Sequence, residues 1–331
     1  MLSSKFEKIL GFVRNKKTLV LTHRLLDVDA LASIICFKYL IKELKLDGFY
    51  FYFSSLTKST NDFFSLFTEK FGDFDVQDGI IDFKEIGAFI ILDTNNLDQV
   101  DVPNIENKSV ITKPIIFIDH HSFSILNKRI QNKLSIIEDK YNSTSEIIYE
   151  LFQHYHFEIP IPYIYLIVAG MISDTGFFKH ANTQVFRRLA SLLENNVNYQ
   201  EIVSLLDHKK NISEKIAQIK GAQRIKLYRM QDKLVGISHV SNFRAKVATN
   251  LLKLGLDISI VYSKLKKGNF ITARAKKHIC LETGLHLGKL LEIISDGRGG
   301  GHDGAASVFI EEDIEEKLEE LLKLIQEILI R

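Results

Sequence analysis

Three adjacent ionisable residues end one of the apolar runs of the chain. Residues 115–118 read Ile-Ile-Phe-Ile, and Asp119, His120 and His121 follow at once. Charged groups at the tip of a buried strand cost free energy unless they are paired or hold a metal ion. The triplet therefore indicates metal or phosphate chemistry rather than packing.

Two further apolar runs, residues 18–22 and 88–92, end in the same way. The ionisable residues that follow them are His23, Asp27, Asp29 and Asp93. Runs of this length and composition are typical of strands buried on both faces of a parallel sheet. Ligands of such sheets bind beyond the carboxyl ends of the strands, so we expect these side chains to converge on one crevice.

The candidate ligands are sufficient for two divalent cations. They are four carboxylates and two imidazoles, namely His23, Asp27, Asp29, Asp93, His120 and Asp174. Mixed oxygen and imidazole ligands favour Mn²⁺, with Mg²⁺, Fe²⁺, Co²⁺ or Zn²⁺ as substitutes. Two cations about 3.5–4 Å apart can activate a water and clamp a phosphoryl group, which predicts hydrolysis of a phosphoester. The alternative for one Asp alone is helix capping, which Asp29 or Asp174 would do well. Four such motifs in order disfavour that alternative.

The elements that must position these ligands alternate between strand and helix. Strands are predicted at about 18–22, 49–53, 88–92, 115–118 and, as a short edge strand, 135–138, with helices at about 3–14, 29–45 and 60–70. Residues 143–146 (Ser-Thr-Ser-Glu) match a capping box and predict a helix that ends near residue 156. The alternation predicts an α/β N-terminal domain with a parallel sheet and flanking helices.

The pattern changes in the second half of the chain. Five short strands with hairpin-like spacing are accompanied there by helices predicted at about 241–253, 282–294 and 314–330. This predicts a smaller α/β domain with a mixed sheet. The predicted division is a metal-binding domain (1–205), a helical linker (206–224) and a substrate-binding domain (225–331), with the active site in the cleft between the two domains.

Composition excludes several classes of protein. The 331 residues are 46% hydrophobic with a net charge of +2, which suits two globular domains and argues against disorder. No uncharged apolar run of 18 residues or more indicates a membrane helix. Cys36 and Cys280 are too few for a disulfide framework, and the N-terminus does not resemble a signal peptide, so a cytoplasmic protein is expected.

A glycine run in the most basic part of the chain indicates an anion site. Residues 205–300 hold 19 Lys and Arg against 7 Asp and Glu, which suits a phosphate-bearing substrate. The run and its flanking donors are Arg298, Gly299, Gly300, Gly301 and His302. Consecutive glycines let backbone amides approach an anion closely. A flexible loop on a solvated basic surface is the alternative.

The motifs of the first half together resemble those of the DHH phosphoesterase family. The resemblance covers residues 16–180 and is carried by His23-x3-Asp27-x-Asp29-Ala30, Asp93, Asp119-His120-His121 and Asp174-Thr175-Gly176. It implies a two-metal centre, usually of manganese, with His23 and Asp27 on one metal, Asp29, His120 and Asp174 on the other, and Asp93 as the bridge. His121 would then contact the scissile phosphate or the leaving group, and Asp119 would orient the histidines.

The Gly-Gly-Gly-His run resembles the DHH-associated C-terminal domain of oligoribonuclease/pAp phosphatases, cyclic-dinucleotide phosphodiesterases and RecJ-type nucleases. This implies that the loop and an arginine on a nearby strand, for which Arg274 fits best, hold the distal part of a nucleotide. Family II pyrophosphatases lack this motif, so they are disfavoured.

We therefore expect a Mn²⁺-dependent phosphodiesterase with two metal ions per chain that degrades short oligoribonucleotides (nanoRNA) or linear or cyclic dinucleotides, with activity on pAp as an extension. One alternative is a RecJ-like single-strand-specific exonuclease, and another is a non-enzymatic nucleotide- or nucleic-acid-binding subunit. The expected partner is a small nucleotide or short oligonucleotide and not a membrane, and a homodimer is left open.

Overall fold

The computed structural model describes residues 2–74, 76–78, 82–102, 113–122, 134–207 and 212–330. It divides into two compact units, Met1–His208 and Lys209–Arg331. The predicted domain limits of 205 and 225 stay a prediction. In the described part of the chain, no helix is both long and apolar enough to cross a membrane.

The first unit is built around a parallel sheet with helices on it, as predicted. Its strands are β1 (Thr18–Thr22), β2 (Leu25–Leu26), β3 (Phe49–Phe51), β4 (Ser55–Leu56), β5 (Ala88–Leu92), β6 (Ile115–Asp119) and β7 (Ile136–Ile137). Its helices are α1 (Leu2–Val13), α2 (Val28–Glu43), α3 (Lys58–Phe71), α4 (Thr144–His154), α5 (Ile161–Asp174), α6 (Thr183–Leu193) and α7 (Tyr199–Leu206), with short 3₁₀ helices at Phe83–Glu85 and Leu97–Gln99.

The main sheet has the order β3-β1-β5-β6-β7, and all of its pairs are parallel. Both β1 and β5 are buried along their whole length. Alternate residues of β5 serve two cores, since Ile90 packs with the helices and Phe89 packs on the opposite face. Apolar residues on both faces explain why the runs are continuous rather than alternating.

The second unit contains a six-stranded mixed sheet, which confirms the sequence prediction. Its strands are β8 (Lys226–Met230), β9 (Lys233–His239), β10 (Ile258–Leu265), β11 (Gly268–Ala275), β12 (Gly300–Gly301) and β13 (Ala305–Ile310). Its helices are α8 (Ile212–Gln223), α9 (Arg244–Lys253), α10 (Lys277–Thr283), α11 (Leu287–Ile294) and α12 (Ile314–Ile330). The order is β12-β13-β11-β10-β9-β8, and β9 pairs with β10 in parallel while the other pairs are antiparallel.

Two details of the second unit differ from the sequence prediction. The single helix predicted at 282–294 is wrong, because α10 ends at a left-handed Gly284 (φ +71°) before α11 begins. The predicted linker contains α8, which packs within the second unit, where Ser238 Oγ donates to the Gly221 carbonyl at 2.6 Å.

Candidate metal centre

The register of the main sheet aligns three strand ends. Thr22 of β1 lies beside Leu92 of β5, and Leu92 lies beside Ile118 of β6. The residues that come next along each strand are His23, Asp93 and Asp119. Parallel pairing therefore brings the predicted ligands to one edge of the sheet.

Asp29 is held by the first turn of another helix. Its Oδ2 accepts from the Thr144 amide at 2.6 Å and its Oδ1 from the Ser145 amide at 3.0 Å. Both amides lie at the N-terminus of α4, where unpaired N–H groups favour an anion. Burial, with a further contribution from the nearby Asp174, raises the pKa of Asp29 to about 7. Asp27 has a separate position as the N-cap of α2, where it accepts from the Ala30 amide at 3.0 Å.

Asp93 stands at the centre of the cluster. Its backbone is left-handed (φ +61°), a conformation that Asp accepts more readily than most residues. Its carboxylate is 2% exposed, and Oδ1 accepts from the Thr144 hydroxyl at 2.9 Å. Burial and the neighbouring Asp29 raise the pKa of Asp93 well above its usual range.

His23 and His120 approach Asp93 from two sides. His23 Nε2 lies 3.4 Å from Asp93 Oδ2, and His120 Nε2 lies 3.6 Å from Asp93 Oδ1. His120 Nε2 is also 2.9 Å from Asp174 Oδ2, yet the angles are not those of a hydrogen bond, and this buried nitrogen has no hydrogen-bond partner among the described residues. Burial lowers the pKa of His120, but the facing carboxylates of Asp174 and Asp29 outweigh it and raise the pKa to about 9.

His121 and Asp119 form a separate pair. His121 Nδ1 donates to Asp119 Oδ1 at 2.8 Å, and this bond raises the pKa of the His121 imidazole. Asp119 is fully buried, while the side chain of His121 is 57% exposed. Asn95 donates to Asp119 Oδ2 at 2.8 Å and also contacts the His121 carbonyl. The pair is thus a buried acid that orients an accessible imidazole.

Within the described residues, the possible ligand atoms form three groups of mutually close oxygen and nitrogen atoms. The groups are His23, Asp27 and Asp93; Asp29, Asp93, His120 and Asp174; and Asp93, Asp119, His120 and His121. Asp93 belongs to all three groups, and the first two match the predicted division into two metal sites. An orphaned buried imidazole nitrogen and crowded carboxylates with raised pKa values are the environment that a divalent cation relieves, so these residues fit such cations.

A cavity of about 410 Å³ opens in the first unit at these strand ends. Its lining includes His23, Arg24, Leu25, Asp27, Asp93, Asp98, Gln99 and His121. The volume falls within the range of small-molecule sites. Arg24, at the rim, is paired with Asp101 at 2.9 Å.

The predicted substrate residues of the second unit are only partly brought together. The register places Arg274 of β11 opposite Ala305 of β13, and the His302 amide donates to the Ala305 carbonyl at 2.9 Å, so Arg274 and His302 flank one residue. Arg298 instead forms an ion pair with Glu312.

The glycines of the run have packing roles. Gly300 and Gly301 form β12 rather than an open loop. A Cβ on Gly299 would lie 2.5 Å from the Leu291 carbonyl oxygen, so α11 approaches the run closely. Their role in binding a substrate stays a prediction.

Sequence reasoning missed three groups that support the ligands. Ser143–Glu146 was interpreted only as a capping box, and Ser143 does cap α4, but Thr144 and Ser145 also hold Asp29 across the fold. Asn95 follows Asp93 by two residues, and that closeness to a strand end was the only available signal. His180, the likeliest further histidine by its closeness to Asp174, belongs to none of the three groups.

Comparison with known proteins gives two family matches. Residues 17–172 match the DHH family, N-terminal domain, and residues 238–331 match the DHHA1 domain.

Individual relatives span most of the chain. The sequence is 29% identical over 322 residues to an uncharacterized protein of Methanocaldococcus jannaschii, covering 96% of this chain and 94% of the relative. It is 25% identical to a probable manganese-dependent inorganic pyrophosphatase of Enterococcus faecalis, over 68% of this chain and 71% of the relative. The crystal structure of an exopolyphosphatase-related protein from Bacteroides fragilis shares the fold, with a TM-score of 0.66, 15% identity and coverage of 99% and 98% of the two chains.

Proposed function

Because the chain belongs to the DHH family of phosphoesterases, we propose that it is a Mn²⁺-dependent phosphodiesterase that hydrolyses small nucleotides. The substrates would be short oligoribonucleotides and linear or cyclic dinucleotides, with pAp as a further phosphoester. The observation that carries the proposal is the sharing of Asp93 between two ligand groups, because a bridging carboxylate is what two adjacent cations require.

Two cations would be held by the two ligand groups that share Asp93. The first would use His23 and Asp27, and the second would use Asp29, His120 and Asp174. When bound, such cations supply Lewis acidity, which polarises a phosphoryl group and makes water a better nucleophile.

The remaining residues of the triplet act on the substrate. His121 lines the cavity, and its Nδ1 is taken by Asp119, so Nε2 is left to donate to a phosphoryl or leaving-group oxygen. Asp119 is buried and held by Asn95, so it fixes the ring orientation of His121. Asp29 and Asp93 are fixed in turn by α4, which keeps the ligand oxygens in place.

The nucleotide part of the proposal is supported by the DHHA1 match and by the basic second half of the chain. A domain with Arg274 and His302 beside one another offers donors for a phosphate or a base.

The test is a Mn²⁺ activity panel on the full chain. It compares a 5′-phosphorylated diadenylate, a cyclic dinucleotide, pAp, long single-stranded DNA and inorganic pyrophosphate. We expect turnover of the small nucleotides, its loss on addition of EDTA and its return with Mn²⁺. Turnover of pyrophosphate alone would contradict the proposal.

Inorganic pyrophosphatase is the rival that the comparisons favour, because of the Enterococcus faecalis relative. The two retained alternatives give different patterns in the same panel. A RecJ-like exonuclease would degrade long single strands in a salt-sensitive manner. A binding subunit would bind nucleotides and release no product from any of them.

A further inference from the structure

Arg244, the first residue of α9, lies outside every motif considered above. Its guanidinium lies over the Phe270 ring, 4.5 Å from the ring centre, and its Nη1 donates to Ser263 Oγ at 2.7 Å. Its Nε is buried and has no hydrogen-bond partner in the described part of the chain. The side chain is thus held flat and in place by two β-strand residues.

The charge of Arg244 is not compensated. No carboxylate of the described residues forms an ion pair with it, whereas Arg188 lies between Glu146 and Glu150, at 2.6 and 2.5 Å. Burial is the one cause that lowers the pKa of the Arg244 guanidinium. A cation at a helix N-terminus also opposes the helix dipole. A position that is unfavourable for these reasons is expected where a ligand supplies the missing charge.

Arg244 lies on one face of the second unit's sheet together with other donors. Residues directly opposite on paired strands share a face, and the register sets Ser263 opposite Phe270 and Phe270 opposite Phe309. Two and four residues along β11, on the same face, come Thr272 and Arg274.

Part of this face is open to a ligand. Thr272 shares a hydrogen bond of 3.0 Å with Ser307, and Ser307 and the neighbouring Gly300 are exposed. The face therefore carries two arginines without acidic partners, separated by hydroxyl groups.

We propose that Arg244 binds a phosphate group of the nucleotide other than the one that is hydrolysed, on the sheet face that it shares with Arg274. The identity of the anion as a nucleotide phosphate rests on the proposed function, while the anion site itself rests on the geometry. The flat guanidinium over Phe270 leaves Nη2 without a partner among the described residues and oriented for a phosphate oxygen.

The test compares Arg244→Gln with Arg229→Gln, which removes an equal charge from an exposed residue of β8 in the same unit. With 5′-phosphorylated diadenylate and Mn²⁺, Arg244→Gln is expected to raise KM roughly tenfold while kcat changes less than twofold, which is the loss of a charge-assisted hydrogen bond. Arg229→Gln should leave both constants unchanged. Equal KM values for the two variants would overturn the proposal.

A binding measurement separates this inference from the proposed function. Calorimetric titration of the full chain with the same diadenylate in EDTA should show roughly tenfold weaker binding for Arg244→Gln. Binding through Arg244 without any turnover would contradict the proposed function alone, and turnover with unchanged binding would contradict the inference alone. If Arg244→Gln fails to fold, Arg244→Lys keeps the charge but loses the planar fork. Its binding should weaken about threefold, and unweakened binding would again overturn the inference.

Discussion

The two units of this chain solve opposite electrostatic problems. In the first unit, the ends of parallel strands gather carboxylates and imidazoles, and the shared oxygens of Asp93 have no nearby Lys or Arg in the ligand groups. In the second unit, one face of a mixed sheet carries Arg244 without an acidic partner. Each surplus of charge indicates what is recognised there: cations at the strand ends and anions on the sheet face.

The two sites also differ in how they are assembled. The strand-end site joins residues far apart in sequence, such as Asp29 and Thr144, and depends on α4 being in place. The sheet face is assembled by antiparallel register between neighbouring strands. The first is therefore expected to be more sensitive to small changes in packing than the second.

The largest effect should come from Asp93→Asn. Asn accepts a left-handed backbone as well as Asp does, so the fold should be retained. Loss of the shared carboxylate should lower Mn²⁺-dependent turnover by more than about 100-fold and reduce Mn²⁺ uptake measured by metal analysis. Asp47→Asn, the same change at an exposed residue, should alter neither. Full activity of Asp93→Asn would remove the distinction between the two units.

Thr144→Val should have the next largest effect. The backbone amide still donates to Asp29, but the hydroxyl bond to Asp93 Oδ1 is lost. Mn²⁺ affinity measured by calorimetry should fall about 10–100-fold, and Thr144→Ser should restore it. Thr249→Val, at an exposed position of α9, is the matched control. Unchanged affinity in Thr144→Val would show that α4 does not support the ligands.

Gly170→Ala tests how tightly the strand-end site is packed. A Cβ there would lie 2.5 Å from Ser145 Oγ and 2.7 Å from Asp29 Oδ1. Chemical denaturation should show a free energy of unfolding lower by about 1–3 kcal/mol. Gly11→Ala, in α1 with nothing within 4 Å of the added atom, should instead raise it by about 0.5–1 kcal/mol. A neutral Gly170→Ala would mean that α5 can move away from Asp29.

The smallest effect concerns Asp257, a carboxylate of the second unit that does have partners. Burial raises its pKa, but the Leu234 amide at 2.9 Å and the Lys276 ammonium at 3.0 Å outweigh this and lower the pKa overall. Because the folded pKa lies below the unfolded value of about 4, the stabilisation is present above that pH and is lost as pH falls through the folded pKa.

Asp257→Asn should therefore cost about 1 kcal/mol near pH 7 and less as the pH approaches 2. Unfolding curves of the two proteins at both pH values provide the measurement. A difference that is the same at both values would show that the charge of Asp257 is not what stabilises this part of the sheet.

Much of the strand-end site could be predicted, because it depends on local patterns. An apolar run that stops at Asp119 or Asp93 reveals both the strand and its functional end, and parallel pairing follows from the helices between the strands. The sequence order of the motifs was therefore enough to bring His23, Asp93 and Asp119 together.

What could not be predicted depends on contacts between distant segments. Nothing near Asp29 indicates that the amides of Thr144 and Ser145 will hold it, since the capping pattern of α4 explains itself locally. Arg244 was passed over for a similar reason, because its unusual property is the lack of an acidic partner, and a missing contact leaves no mark in the sequence. The break at Gly284 was missed because the apolar spacing runs across it.

The left-handed backbone of Asp93 has a consequence for anyone who wishes to redesign this protein for a different metal. Residues that adopt φ +61° without strain are few, chiefly Gly, Asn and Asp. A cysteine or glutamate at position 93 would bring a backbone cost of roughly 1–3 kcal/mol in addition to any change in coordination. Softer or longer ligands are better introduced at positions 23 or 27, which leaves the bridging oxygen as the invariant around which the rest of the centre is varied.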